Sequence, residues 1–280
     1  MDLFGQPTSA ASLDRQILRV EPGGRTPADD PVAVEEPLEI LIRHRGSTER
    51  LTVTMRTPGD EEDLTIGFLL AEGIIARVGD LQSVEKVLVD GSFHNQVLAH
   101  LSDDLAFDPD HFRRNVLTTS ACGICGRSSI EHLVTRHGHP IERNSPVSLA
   151  ILMSLPSALT NRQTTFATTG GLHAAAVVRP DGDIVAVRED IGRHNAVDKV
   201  IGFCATSNTP VTADHLLVVS GRASYELVQK AIVAEIGTLV SIGPPSTLAI
   251  DLATEFNLML VGFTKSNTCN VYTCQGEVVA

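Results

Sequence analysis

The second half of the chain alternates short β-branched runs with amphipathic helical patterns, and this alternation constrains the fold most strongly. The runs "HLLVVSG", "TLVSIG" and "LMLVGF" are separated by "SYELVQKAIVAEI" and "STLAIDLATEFN", whose apolar residues recur at helical spacing. Just before them, "LHAAAVV" and "IVAVRED" flank the turn sequence "RPDGD" and predict a hairpin. The pattern is typical of a largely parallel sheet covered by helices on both faces. We therefore predict an α/β domain over residues 148–280.

The first half of the chain predicts a smaller α+β subdomain over residues 32–115. It carries a hairpin around Arg45 and Gly46, a helix that begins at Asp60 and ends at Gly73, and a second strand pair. Residues 1–31 contain Pro, Gly, Ser and Asp without a hydrophobic period, which predicts a flexible tail. Residues 116–147 are predicted to hold a cysteine loop and a connecting helix, and the following helical pattern is expected to kink or end at Pro156.

Charge and composition exclude several classes of function. The formal net charge of the 280 residues is −12, and binding to nucleic acid or to an anionic membrane surface needs a cationic face. The chain shows neither a basic segment followed by an apolar run at its start nor an apolar stretch of membrane-spanning length, so we expect a cytoplasmic protein. Any anionic ligand must therefore be held by a local cluster of cations.

The carboxyl ends of the predicted strands indicate where that cluster lies, because ligands of open α/β sheets bind at this edge. The loops that follow strands are "REDIGRHN", "SGRAS", "IGPPS" and "GFTKSNTCN", and neither GxGxxG nor GxxxxGK[ST] occurs. They offer phosphate-binding groups at Arg193, Ser220, Gly221, Arg222, Lys265 and Ser266.

Several nearby polar residues also have plain structural interpretations. Arg193 is equally consistent with an ion pair to Glu189 or Asp190, and His194 with a helix cap or a core position. Lys230 has the pattern of a solvated helix residue. Asp198 and Lys199 are expected to face solvent or a subunit contact.

The stretch "TTSACGICGRSSIE" separates Cys122 from Cys125 by two residues, and a glycine directly follows each cysteine. A zinc site needs two further ligands, and the remaining candidates, Cys204, Cys269, Cys274, His137 and His139, are poorly spaced. A thioredoxin-like site should follow a strand with an aromatic residue, which is missing here, and an odd count of five cysteines argues against a disulfide scaffold. A nucleophilic thiol is favoured, with zinc binding, a redox pair and an inert buried pair as alternatives.

The ordered set "RTPGDEEDLTIGFLLAEGII", "CGICG", "TGGLHAAA", "VREDIGRHNAVDKVIG", "SGRASYELVQKA" and "GFTKSNTCNVYT" resembles the formate dehydrogenase accessory sulfurtransferases, the FdhD proteins. The resemblance implies transfer of sulfur from a cysteine desulfurase to the molybdenum cofactor, bis(molybdopterin guanine dinucleotide), before its insertion into formate dehydrogenase. It implies a persulfide carrier at Cys122 and a second essential thiol at Cys125. The implied cofactor-binding segment, which a guanine nucleotide would also occupy, is Phe263, Thr264, Lys265, Ser266, Asn267 and Thr268.

The resemblance further implies a homodimer and a cytidine deaminase-like three-layer αβα domain with a smaller N-terminal subdomain. Zinc-dependent deamination is disfavoured, because His194 is followed by Asn195 and Ala196 rather than by the required motif, and no Pro precedes Cys122. We assign no metal ligands. The C-terminal loop departs from the family in having Lys265 as its only cation and a cysteine at 269, which is either a third sulfur site or an apolar filler.

Two further functions remain as alternatives to sulfur transfer. The first is a chaperone that binds the molybdenum cofactor without sulfur chemistry, and the second is a dithiol oxidoreductase that cycles through a Cys122–Cys125 disulfide.

Overall fold

The computed structural model describes residues 8–107, 139–207 and 211–279. Cys122, Cys125 and the helix predicted at "SSIEHLVTRHG" lie outside the described residues.

The first two strands of the described residues form a hairpin that buries little of its surface. Strand β1 (Ser12–Glu21) pairs antiparallel with β2 (Gly24–Ala33), and Leu18 and Val20 are 54% and 65% exposed. The prediction of a tail without regular structure over residues 1–31 was wrong for this segment. Neither face of the hairpin is buried, so its sequence carries no hydrophobic alternation from which strands can be recognised.

A four-stranded sheet and one helix follow, and the predicted hairpins and helix are confirmed. The helix α1 (Glu61–Glu72) begins after Asp60, whose side chain makes no capping hydrogen bond, and ends at Gly73 with φ 72°. Its Leu64 and Leu69 pack on the sheet. The strands are β3 (Glu36–His44), β4 (Ser47–Arg56), β5 (Leu81–Val89) and β6 (Ser92–Leu101). Their order in the sheet is β4-β3-β6-β5, with β3 parallel to β6.

The second sheet has six strands and is mixed. The strands are β8 (His173–Val178), β9 (Ile184–Asp190), β10 (Leu216–Val219), β11 (Thr238–Ser241), β12 (Met259–Gly262) and β13 (Asn270–Val271). Their order is β13-β12-β11-β10-β8-β9, and only the pairs β10–β11 and β11–β12 in this sheet are parallel. The prediction of a largely parallel sheet was therefore wrong outside the central three strands, because the hairpin and the last strand add antiparallel edges.

Helices cover both faces of this sheet, so the chain forms a three-layer αβα arrangement. One face packs on α2 (Leu149–Thr160), which continues as a helix through Pro156 rather than ending there. The short helix α3 (Thr164–Thr169) follows. The other face packs on α4 (Arg193–Thr206), α5 (Tyr225–Val233) and α6 (Thr247–Glu255). The short strands β7 (Val147–Ser148) and β14 (Val278–Val279) pair with each other. None of the helices in the described ranges has the length and apolarity that a membrane span requires.

The two sheets are joined by a close helix crossing between α1 and α4. A side-chain carbon added to Gly202 on α4 would lie 2.8 Å from the backbone nitrogen of Gly67 on α1. Glycine at these positions lets the two backbones touch, and the smaller sheet is thereby held against the helix whose N-terminus reaches the carboxyl edge of the larger one.

Candidate functional site at the carboxyl edge of the sheet

The loops that follow β10, β11 and β12 are hydrogen-bonded to one another at the carboxyl edge of the six-stranded sheet. The amide of Gly243 donates to the Gly221 carbonyl at 2.9 Å, and the amide of Phe263 donates to the Gly243 carbonyl at 3.0 Å. A side-chain carbon added to Gly243 would lie 3.1 Å from Cγ of Arg222. Gly243 thus brings Arg222 and the 263–268 loop together.

The side chains of three cations at this edge have no hydrogen-bond or ion-pair partner among the described residues: Arg193, Arg222 and Lys265. The Nε of Arg193 is buried as well as unpartnered. Pairing of Arg193 with Glu189 or Asp190 is wrong, because Glu189 accepts hydrogen bonds from the first turn of α3 and Asp190 is bound to a lysine. Unpaired cations gathered at one edge of a chain with net charge −12 indicate an anion-binding site.

The predicted cofactor segment forms a tight loop after β12. Phe263 has φ 51°, a strained value for an aromatic residue, and it is 43% exposed. Thr264 is buried, and its Oγ1 has no hydrogen-bond partner. The amide of Lys265 donates to the Thr268 carbonyl at 2.8 Å, which closes the loop. The side chains from Lys265 to Thr268, including Ser266 and Asn267, are exposed and available to a ligand.

Two histidines complete the edge, and the sequence analysis gave His173 no role. His173 opens β8, and a side-chain carbon added to Gly221 would lie 3.5 Å from its Nδ1 and 3.8 Å from Cδ of Arg193. Burial lowers the pKa of His173, and the nearby Arg193 and His194 lower it further. The imidazole is therefore neutral near pH 7, with one donor and one acceptor nitrogen. His194 is half-buried, 3.5 Å from Ser224 Oγ and 3.7 Å from Glu226 Oε2.

A buried polar network positions the N-terminus of α4. Lys199 Nζ lies 2.8 Å from Asp190 Oδ2 and donates to the Thr57 carbonyl at 2.9 Å. Asp190 also accepts from the amides of Thr57 at 3.1 Å and Gly192 at 2.8 Å. The expectation that Lys199 faces solvent was wrong. Its partners lie on the preceding strand and in the first half of the chain, and the only local signal is a charged pair inside the apolar run "AVDKVIG".

A second buried ion pair joins α4 to α5. Lys230 Nζ lies 2.7 Å from Asp198 Oδ1, and both residues are buried. The expectations that Asp198 and Lys230 face solvent were therefore wrong. Burial raises the pKa of Asp198 to about 6, although Lys230 acts in the opposite direction. The pair lies one helical turn below His194 and Glu226, so two polar contacts hold α4 and α5 together near the site.

A cavity of about 460 Å³ opens beside the same edge, on the face covered by α2. It is mostly apolar, with four polar side chains at Thr160, Gln163, His173 and Ser220. Ser220 and Ile242 directly precede Gly221 and Gly243, so the cavity adjoins the cation cluster. The remaining lining residues are Pro156, Leu159, Phe166, Gly170, Gly171 and Leu172.

The cysteines in the described residues are poor nucleophiles. Cys204 is buried, and burial raises the pKa of its thiol to about 11. Burial also raises the pKa of the Cys269 thiol, which packs beside the core under α2. The thiol of Cys274 donates to Asn257 Oδ1 at 3.4 Å. No metal-binding group of three or more His, Cys, Asp or Glu side chains occurs within residues 8–107, 139–207 and 211–279.

Comparison with known proteins decides the family. The model of the FdhD/NarQ family matches residues 33–279. The chain belongs to the FdhD/NarQ family. Family members with high similarity include "Sulfur carrier protein FdhD" of Streptomyces coelicolor, 42% identical with 92% of each chain covered. The protein of the same name from Nocardia farcinica is 44% identical, again with 92% of each chain covered.

A solved structure supports the fold of this FdhD/NarQ chain. It is described as a putative formate dehydrogenase accessory protein from Desulfotalea psychrophila, and it matches with a TM-score of 0.74 at 20% identity. The match covers 96% of this chain and all of the other. The more specific likeness to cytidine deaminases stays a prediction.

Proposed function

We propose that this FdhD/NarQ-family chain is a sulfur carrier that transfers sulfur from a cysteine desulfurase to the molybdenum cofactor through a cysteine persulfide. The observation that carries the proposal is family membership over residues 33–279, with relatives named as sulfur carriers at 42–44% identity. In this proposal the acceptor is bis(molybdopterin guanine dinucleotide), the client is formate dehydrogenase, and the protein acts as a cytoplasmic homodimer.

The persulfide is assigned to Cys122, with Cys125 as the second thiol. The other three cysteines lie within the described residues, and each is buried or partly buried. The raised pKa values of Cys204 and Cys269 leave little thiolate at neutral pH, and the thiolate is the nucleophile in sulfur exchange. The two cysteines of "ACGICGR", each followed by a glycine, remain as the source of a reactive thiol.

The chemistry proceeds in two steps. The thiolate of Cys122 attacks the outer sulfur of the donor persulfide, the donor S–S bond breaks, and the donor cysteine leaves as a thiolate. Delivery of the outer sulfur as sulfide requires two electrons. Attack of the Cys125 thiolate on the inner sulfur of the Cys122 persulfide supplies them, releases sulfide to the molybdenum and leaves a Cys122–Cys125 disulfide, which a cellular dithiol reduces.

The carboxyl edge supplies the substrate-binding surface in this proposal. The cofactor carries two diphosphate groups, and Arg193, Arg222 and Lys265 are the unpaired cations that an anion needs. Phe263, the unpartnered hydroxyl of Thr264 and the exposed loop from Lys265 to Thr268 add an aromatic surface and hydrogen-bonding groups. Lys265 contributes a point charge, so bidentate phosphate contacts are assigned to the two arginines.

Mass spectrometry of the peptide that contains Cys122 and Cys125 tests the proposal. After incubation with a cysteine desulfurase and cysteine, we expect one added sulfur that dithiothreitol removes. Cys122→Ala should lose both this mass and the ability to restore formate dehydrogenase activity in complemented cells.

Activity measurements on Cys122→Ala and Arg222→Ala distinguish sulfur transfer from the two alternative functions. A cofactor chaperone, which the unpaired cations at the carboxyl edge favour, predicts that Cys122→Ala still restores activity while Arg222→Ala does not. A dithiol oxidoreductase predicts turnover with thioredoxin and no added sulfur.

A further inference from the structure

The β1–β2 hairpin presents exposed apolar side chains on strands that have no third strand beside them. Leu18 and Val20 lie on one face of β1, because they are two residues apart, and are 54% and 65% exposed. A hairpin of two strands with little buried surface gains stability when a further strand joins it. The family model begins at residue 33, so the family match does not account for the hairpin.

Prolines close one edge of the hairpin. Pro27 and Pro31 of β2 stand opposite Leu18 and Asp14 of β1. Because proline has no N–H, both pairs must be non-hydrogen-bonded pairs of the antiparallel ladder, in which each residue directs its backbone polar groups away from the other strand. Pro27 and Pro31 therefore lie on the outer edge of β2 and block the addition of a strand there.

The outer edge of β1 is open. Alternation along the ladder means that Asp14, Gln16, Leu18 and Val20 all direct their backbone N–H and C=O groups outward. Strand β1 contains no proline, and within the described residues its sheet consists of β1 and β2 alone. An open edge with these donors and acceptors can accept another strand.

The sequence of β1 is complementary to itself in an antiparallel register centred on Leu18. In this register Leu18 stands opposite Leu18 of the second copy, and Gln16 stands opposite Val20 of the second copy. Arg15 then stands opposite Glu21, and the two-fold symmetry repeats this pair of opposite charges.

A register centred one residue earlier, on Ile17, is disfavoured by charge. It would place Arg15 opposite Arg19 twice, and like charges directly opposite each other destabilise a sheet. The charges of β1 thus favour pairing with a second copy about Leu18.

We infer that β1 pairs antiparallel with β1 of a second copy of this chain, in the register centred on Leu18. The inference rests on the homodimer of the proposed function and names the surface that forms it. The product is a four-stranded sheet in the order β2-β1-β1-β2, with the apolar side chains of Leu18 and Val20 from both copies on one face. The prolines of β2 block both outer edges of this sheet, so the assembly is closed at two copies.

Analytical ultracentrifugation of the full chain tests this inference. Gln16→Pro removes one outward N–H and leaves Leu18 and Val20 in place, so it should raise the dissociation constant of the dimer about tenfold or more. Asp29→Pro is the matched control, because Asp29 stands opposite Gln16 on β2, whose outer edge is already blocked. We expect its dissociation constant to equal that of the wild type.

Charge reversal tests the register. Arg15→Glu and Glu21→Arg should each weaken the dimer, because each places like charges opposite each other. The double variant restores opposite charges across the two copies and should recover the dimer.

Cross-linking tests the register without a proline. Residues that stand directly opposite in a hydrogen-bonded pair have Cα atoms about 5.5 Å apart, which suits a disulfide. Mild oxidation of Leu18→Cys should therefore link residue 18 of one copy to residue 18 of the other, as identified by mass spectrometry of the linked peptide. Gln16→Cys is the control and should give no such link, because Gln16 stands opposite Val20.

The inference is overturned if the wild type is a monomer, or if Gln16→Pro dimerises as tightly as the wild type. If both proline variants lose the dimer equally, the link in Leu18→Cys decides: its presence supports the inference and its absence overturns it. These measurements need neither sulfur nor cofactor, and Cys122→Ala should dimerise like the wild type. Failure of sulfur transfer and failure of strand pairing are therefore separate results.

Discussion

Gly202 of α4 lies against the backbone of Gly67 of α1, where an added side-chain carbon would stand 2.8 Å from a main-chain nitrogen. We expect Gly202→Ala to lower the free energy of unfolding by about 1–3 kcal/mol, because the helices must separate to admit a methyl group. Urea denaturation measures the change. Gly23→Ala is the matched control, since nothing lies within 4 Å of a side-chain carbon added there. Equal stability of Gly202→Ala and wild type would contradict the backbone contact.

Lys199 should be essential to stability through its contact with Asp190. Lys199→Met leaves the Asp190 carboxylate buried without its counter-charge, and loss of one partner of a buried pair costs roughly 3–5 kcal/mol. Thermal unfolding followed by circular dichroism should show the loss. Arg19→Ala breaks the exposed contact with Asp30 and should cost less than about 1 kcal/mol. Similar losses of stability in Lys199→Met and Arg19→Ala would contradict this prediction.

Asp198 should give the stability of the protein an unusual pH dependence. Its pKa is raised from 3.8 to about 6 in the folded protein, surrounded by Lys230, Glu72 and His194. The folded state therefore holds a proton that the unfolded state has lost between these pH values, and stability rises as the pH falls through this window. Relative to Asp198→Asn, wild type should gain up to about 3 kcal/mol between pH 6 and pH 4. A constant difference across this range of urea titrations would refute the prediction.

Cys204 should resist alkylation in the folded protein. Its thiol is buried and has a pKa raised to about 11, so it offers almost no thiolate at pH 8. We expect iodoacetamide to leave the Cys204 peptide unmodified under native conditions and to modify it fully in urea, as measured by mass spectrometry. Rapid native modification would show that the thiol is accessible.

Arg222 should contribute to anion binding without supporting the fold. It is exposed and has no ion-pair partner among the described residues, so Arg222→Ala removes no internal contact of that kind. We expect about a tenfold loss in affinity for GDP or pyrophosphate, with an unchanged unfolding transition. Arg25→Ala, on the exposed hairpin, removes the same charge elsewhere and should bind normally. An equal loss in both variants would point to net charge rather than to a local site.

Much of the larger sheet follows from local sequence. The runs that became β10, β11 and β12 are short, β-branched and buried on both faces, and this pattern identifies central strands. The meeting of Arg222 with the 263–268 loop followed from the rule that carboxyl ends of parallel strands share one edge. The β1–β2 hairpin was not predicted because neither of its faces is buried and its sequence therefore lacks hydrophobic alternation.

The parts of the site that sequence did not reveal depend on partners far apart in the chain. Lys199 and Lys230 are buried because carboxylates reach them from β9 and α4. The cavity lined by Gln163 forms between the ends of α2 and α3 and the ends of three strands. A single glutamine in a polar stretch of sequence does not indicate that such a cavity exists. Burial of a polar residue is decided by tertiary packing, which local periodicity does not encode.

The Asp190 carboxylate binds the backbone of Thr57 in the first half of the chain and Lys199 in the second. These Asp190 contacts and the Gly67–Gly202 helix contact join the two halves of the chain, so neither half is structurally independent of the other. A chimera that takes its first hundred residues from one family member and the rest from another should fold only if the two parents together preserve the Asp190 contacts and the Gly67–Gly202 helix contact.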